Sequence, residues 1–144
     1  MPSRRRAADR LRRVRITPEF IPSADGSCLI TLGRTRVVCT ATIEDRVPRW
    51  LLGSGGGWVT AEYGMLPASA TERIRRPGPG GTSSRGTEIR RLIGRALRAG
   101  TRLDALGKNQ VIVDCDVLEA DGGTRCAAVT GGKAAVVAAA GDGP

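Results

Sequence analysis

At 144 residues and 15.1 kDa the chain is one domain's worth of polymer. Its 40% hydrophobic and 26% charged residues supply one core and do not read as a disordered segment. The 23 basic residues against 14 acidic ones give a net charge of +9, carried almost wholly by arginine. Histidine is absent, which excludes Ser-His-Asp and Cys-His nucleophile systems, HExxH metal sites and any imidazole base. At 3%, aromatic residues are too few for rows of stacking rings on a recognition surface.

Met1 to Arg15 is basic and lacks the apolar stretch of a secretory signal. Arg4-Arg5-Arg6 with Arg10, Arg12, Arg13 and Arg15 suits an organelle presequence or, more economically, an RNA- or phosphate-facing arm. Residues 1–9 are therefore set apart as an arm, residues 10–140 as the domain and 141–144 as a tail. Residues 11–20 alternate weakly as a strand. Residues 27–33 and 35–43 do so more clearly, with Val37, Cys39, Ala41 and Ile43 on one face and Gly33-Arg34 as a hairpin turn. Residues 46–57 hold Pro48 and a glycine run without GxGxxG spacing, so they read as a loop, followed by a fourth strand over 58–63. Residues 67–86, rich in Pro, Gly, Ser, Thr and Arg, read as a long mobile loop.

From Thr87 to Gly100 the apolar residues Ile89, Leu92, Ile93, Ala96 and Leu97 fall at i, i+3, i+4, i+7 and i+8, the stripe of a core-facing helix. Thr87 is the expected N-cap and Gly100 the expected stop. Residues 110–118 form a strand, Asp121-Gly122-Gly123 a turn, and Thr124 to Ala140 a small-residue helix with Gly131-Gly132 as its weak point. The order ββββαβα argues for an α+β fold, a mixed sheet packed with helices. No window of eighteen apolar residues is present, so no spanning helix is expected. Cys28, Cys39, Cys115 and Cys126 form no CxxC pair and read as reduced, buried thiols of a cytoplasmic protein.

Two segments share one chemistry. Arg85 precedes the start of the strong helix, where unpaired amides and the helix dipole attract anions. Gly122-Gly123-Thr124-Arg125 likewise leads from a strand into a helix and offers close amides, a hydroxyl and a guanidinium. Each alone could be a solvated arginine or an ordinary turn. Together they make a phosphate site if they converge. Thr130-Gly131-Gly132-Lys133 is not a Walker A motif, because Ala134 stands where Ser or Thr should follow. Asp114 and Asp116 share a strand face and could hold Mg2+ through waters, although pairing with arginines is the favoured reading. Glu62 suits either role. Arg73, Arg75 and Arg76, with the N-terminal arm, could follow a nucleic-acid backbone.

Three strings carry a resemblance: Gly57 to Pro67 (GWVTAEYGMLP), Arg85 to Arg98 (RGTEIRRLIGRALR) and Asp114 to Arg125 (DCDVLEADGGTR). They resemble the ribonuclease PH family, and Gly26-Ser27, Thr35-Arg36-Val37 and Val47-Pro48-Arg49 fit it in the same order, over most of residues 10–131. The resemblance implies an incomplete ribonuclease PH-like domain of a phosphorolytic 3'-to-5' exoribonuclease. Such an enzyme trims tRNA precursors and other RNA 3' ends, including ribosomal RNA, with inorganic phosphate as co-substrate. It releases nucleoside diphosphates and adds nucleotides in reverse. Mg2+ and a homo-oligomeric hexameric ring of dimers are implied as well.

By position, Arg85 with Gly123, Thr124 and Arg125 would bind phosphate, and Arg73 and Arg76 would hold tRNA. The family's domain runs past residue 144 and carries its metal-associated aspartates there, so no catalytic or metal residue is assigned. Ala68 stands where an arginine is usual, and the N-terminal segment lacks the usual Asp-Gly-Arg. The alternative implied is a truncated, inactive copy that binds RNA or scaffolds a ring, with an unpaired sheet edge and an apolar face exposed.

Overall fold

The computed structural model describes residues 7–78 and 84–141. Five strands, β1 (Val14–Pro18), β2 (Gly26–Leu32), β3 (Thr35–Glu44), β4 (Trp58–Met65) and β5 (Gln110–Glu119), form one sheet in the order β1-β2-β3-β5-β4. Helix α1 (Ser84–Ala99) joins β4 to β5, which lie parallel. Helix α2 (Thr124–Ala140) follows β5, and the other strand pairs are antiparallel. The order ββββαβα and the mixed α+β sheet are as expected.

Strand periodicity explains the core. One row across the sheet runs Cys28, Cys39, Cys115 and Tyr63, and another Ala41, Val113 and Ala61, all buried. Both helices cover this face. Ile89, Ile93 and Leu97 of α1 are buried against it, while Leu92 and Ala96 are half-buried at the margin of the stripe. The opposite face carries Thr40, Thr42, Thr60, Glu62, Asp114 and Asp116 among Leu29, Val38 and Ile112. It is a mixed surface, not the apolar one expected. The edges are β1 and β4, as the expectation of an unpaired edge requires. On β4 an α1 arginine, Arg98, donates to the Val59 carbonyl at 2.9 Å.

Two sequence expectations are corrected. Helix α1 begins at Ser84, not Thr87. Gly86 sits three residues before Ile89, on the inward side, and has no side chain to extend the apolar stripe, so the extra turn left no signal. Helix α2 runs unbroken through Gly131-Gly132. Two helical glycines cost about 1 kcal/mol each, but here they are contact points. A Cβ on Gly131 would lie 2.7 Å from the Cys39 Sγ, and one on Gly132 would lie 3.3 Å from Val113. The loop after β4 is also more ordered at its start than its composition suggests. Ala120 N–H donates to the Ser69 carbonyl and Ile74 N–H to that of Pro67, both at 2.8 Å. Arg4, Arg5 and Arg6, and residues 79–83, lie outside the described residues.

The cysteines divide as their patterns imply, with one exception. Cys28, Cys39 and Cys115 are buried, and Cys126 on α2 is exposed. Hydrogen bonding along the Cys28–Cys39–Cys115 row, with burial, pushes the Cys28 and Cys39 thiols up, which keeps them protonated and unreactive at neutral pH. A thiol reagent should therefore titrate one group in the native chain and four after unfolding. Two or more fast thiols in the native state would contradict the packing of the row.

Candidate phosphate and RNA-end site

The two anion-attracting junctions lie at the same end of the helix layer. Tyr63, near the end of β4, is buried, and its hydroxyl donates to Thr124 Oγ1, at the start of α2, over 3.0 Å. Across the top, Arg125 of α2 faces Glu88, just past the first turn of α1, at 3.6 Å. The start of α2 and the first residues of α1 therefore lie at one region. Arg85 stands in the first turn of α1, exposed, not before the helix as its sequence position suggested.

A hollow of about 190 Å³ lies beside this junction, lined by Tyr63, Met65, Ile74, Arg75, Arg85 and Ile89 among others. Gly123, Thr124 and Arg125 do not line it. Thr124 adjoins it through its hydrogen-bond partner Tyr63, whereas Glu88, the partner of Arg125, does not line it. Arg73, Arg75 and Arg76 are exposed on the loop after β4. Half-buried Ile74 anchors that loop, and Arg75 reaches the hollow whereas Arg73 and Arg76 do not.

The turn ahead of α2 is shaped by backbone conformation. Gly122 and Gly123 both hold positive φ, 81° and 77°, a region that side chains disfavour. Thr35, fully buried on β3, accepts from the Asp121 N–H at 2.9 Å and donates to the Gly122 carbonyl at 2.6 Å. Arg12 donates to the carbonyls of Asp121 and Gly122.

Sequence reasoning gave no role at this turn to four residues, Tyr63, Glu88, Arg12 and Thr35, although Arg12 stood in the expected RNA- or phosphate-facing arm and Thr35 in a family string. Tyr63 had a signal. Its alternation with Val59 and Ala61 turns its ring inward, and a buried tyrosine hydroxyl then needs a partner. For the other three no spacing rule points to this turn. They meet the site from far along the chain.

The acidic residues lie elsewhere. Asp114, Asp116 and Glu62 are on the face of the sheet away from the helices. The expected pairing of Asp114 and Asp116 with arginines is absent among the described residues. Arg90 pairs instead with Glu62 at 3.3 Å, because α1 flanks the β4 edge and its arginine reaches that strand but not central β5. Among the described residues no group of three metal-ligating side chains is assembled. Asp114, Asp116 and Glu62 lie across the sheet from the phosphate junction, so they would not share a cation with it.

Burial raises the Asp114 pKa, and the charges of Asp116 and Glu62 raise it further. The folded chain then keeps a proton that the unfolded chain has released. Stability from this group is full below the ordinary value of 3.8 and declines as pH rises through the raised one. Asp114→Asn should raise the melting temperature by roughly 2–4 °C at neutral pH and change it little below that value. Equal shifts at both pH values would contradict the burial argument.

Comparison with known proteins shows the family. Residues 10–140 match the model of the 3' exoribonuclease family, domain 1. The chain is 56% identical over 137 residues to ribonuclease PH of Neisseria meningitidis serogroup C (94% of this chain, 57% of the relative). It is 56% identical over 132 residues to that of Cereibacter sphaeroides (91% and 56%). It thus spans little more than half the length of these relatives.

Among solved structures, a chain of the Archaeoglobus fulgidus exosome with RNA bound to the active site matches with a TM-score of 0.77 and 27% identity, covering 91% of this chain and 53% of that one. Rice Rrp46 shares the fold, with a TM-score of 0.76 at 19% identity over 93% of this chain and 59% of its own. The resemblance read from the three sequence strings is therefore met over residues 10–140, and the chain belongs to the 3' exoribonuclease family of ribonuclease PH.

Proposed function

We propose that this chain is the phosphate-holding half of a phosphorolytic 3'-to-5' exoribonuclease that trims tRNA precursors and other RNA 3' ends. The observation that carries the reading is the meeting of two helix N-termini through the Tyr63–Thr124 and Arg125–Glu88 contacts, with Arg85 in the same region. Inorganic phosphate seated there would be held by Arg85, Arg125, the Thr124 side chain and the amides that follow Gly123. Arg73 and Arg76 would engage the RNA backbone.

A phosphate oxygen attacks the last phosphodiester phosphorus. The 3' oxygen of the preceding nucleotide leaves and takes a proton, and a nucleoside diphosphate departs. Phosphate is already nucleophilic at neutral pH, so orientation and charge neutralisation carry the catalysis, and the absence of histidine is no obstacle. Arg125 reaches phosphate by leaving Glu88. Exposed pairs of this kind contribute only about 0–1 kcal/mol, so the exchange is cheap.

If magnesium takes part, its ligands are other than the carboxylates described, and no step here runs through it. A homo-oligomeric ring, hexameric by family resemblance, and a cytoplasmic setting belong to the same proposal. Among the described residues no helix is long and apolar enough to cross a membrane.

The second reading is a non-catalytic RNA-binding or ring-scaffold copy, favoured by carboxylates that lie off the phosphate junction. A tRNA precursor with a 3' extension separates the two. Phosphate-dependent release of nucleoside diphosphate supports the first, whereas RNA binding without release supports the second.

A further inference from the structure

We infer that Arg12 is a positioning residue for the phosphate seat at the start of α2, an assignment that rests on the phosphate reading above. Its guanidinium lies 109 and 110 residues away in sequence from the two groups it binds, donating to the Asp121 carbonyl at 2.8 Å and the Gly122 carbonyl at 3.1 Å. Those carbonyls belong to the turn that delivers the first amides of α2. A carbonyl oxygen turned toward the seat would repel an anion. Drawing both to the Arg12 side leaves the donor side of the turn for phosphate.

Two further observations fit. A Cβ on Gly123 would run into the Arg12 guanidinium, so the glycine and the arginine are fitted to each other. Thr35 fixes the same turn from β3, at the Asp121 N–H and the Gly122 carbonyl, so Arg12 completes a framework anchored in the core. The planar fork matters, because one guanidinium spans two successive carbonyls where a lysine ammonium is a single point charge.

The test is titration of the full 144-residue chain with inorganic phosphate, read by 31P NMR, alongside the amide spectrum of residues 122–126. Arg12→Ala should weaken phosphate binding roughly tenfold and shift those amides. Arg12→Lys should recover only part of the affinity, and it carries the same comparison if Arg12→Ala fails to fold. If Arg12→Ala lowers the melting temperature alone and binds phosphate within twofold of the parent, while Arg85→Ala loses binding, the inference is overturned and the phosphate reading stands. If the parent chain binds no phosphate, the phosphate reading fails. The clamp is then judged by the amides of residues 122–126, and their constancy in Arg12→Ala overturns it too.

Discussion

Gly26→Ala is expected to cost about 3 kcal/mol or more, enough to unfold a large share of a chain of ordinary marginal stability. Gly26 opens β2 where the sheet passes beneath the last turns of α2, and its Cβ would enter the backbone of Ala135 and Ala139. Neither obstacle is a side chain that can rotate away. The helix must lift from the sheet, which would also loosen Ala135 and Val136, both buried. Urea denaturation checks this. A midpoint close to that of the parent would mean that α2 does not sit as described. By contrast, alanine at Gly56, where a Cβ meets only the Ser54 hydroxyl at 3.9 Å and φ is not positive, should be nearly neutral.

Arg85→Ala is expected to lower phosphate-dependent release of nucleoside diphosphate by about 10²–10³-fold, the loss typical when one preorganised donor to a developing anion is removed. The fold should be untouched, because Arg85 is exposed in the first turn of α1 and lines the hollow without being buried. Arg91→Ala is the control. It removes the same charge from the same helix at an exposed position that lines no part of that hollow, so it reports the effect of net charge alone. A loss after Arg85→Ala no greater than after Arg91→Ala would remove Arg85 from the phosphate seat. If the parent shows no release, equilibrium phosphate binding gives the same contrast between the two variants and bears on the seat alone.

The sequence by itself determined the elements and their inward faces. Period two in residues 35–43 and 110–118 turned Val37, Cys39, Val113 and Cys115 to the core, and the i, i+3, i+4 stripe of α1 set Ile89, Ile93 and Leu97 against them, because side-chain direction follows local geometry. It also marked Arg85 and Gly122 to Arg125 as places for an anion, since a helix start is a local property.

Only the tertiary structure decided that the two starts meet. The parallel pairing of β4 with β5 brings Tyr63 to Thr124, a contact across 61 residues that no spacing rule contains. It alone decided that Gly131-Gly132 is a contact, not a break, because helix propensity is weaker than the gain from close packing on the sheet. It also placed Asp114 and Asp116 on the far face, since strand alternation fixes that two residues share a side but not which side the helices will cover.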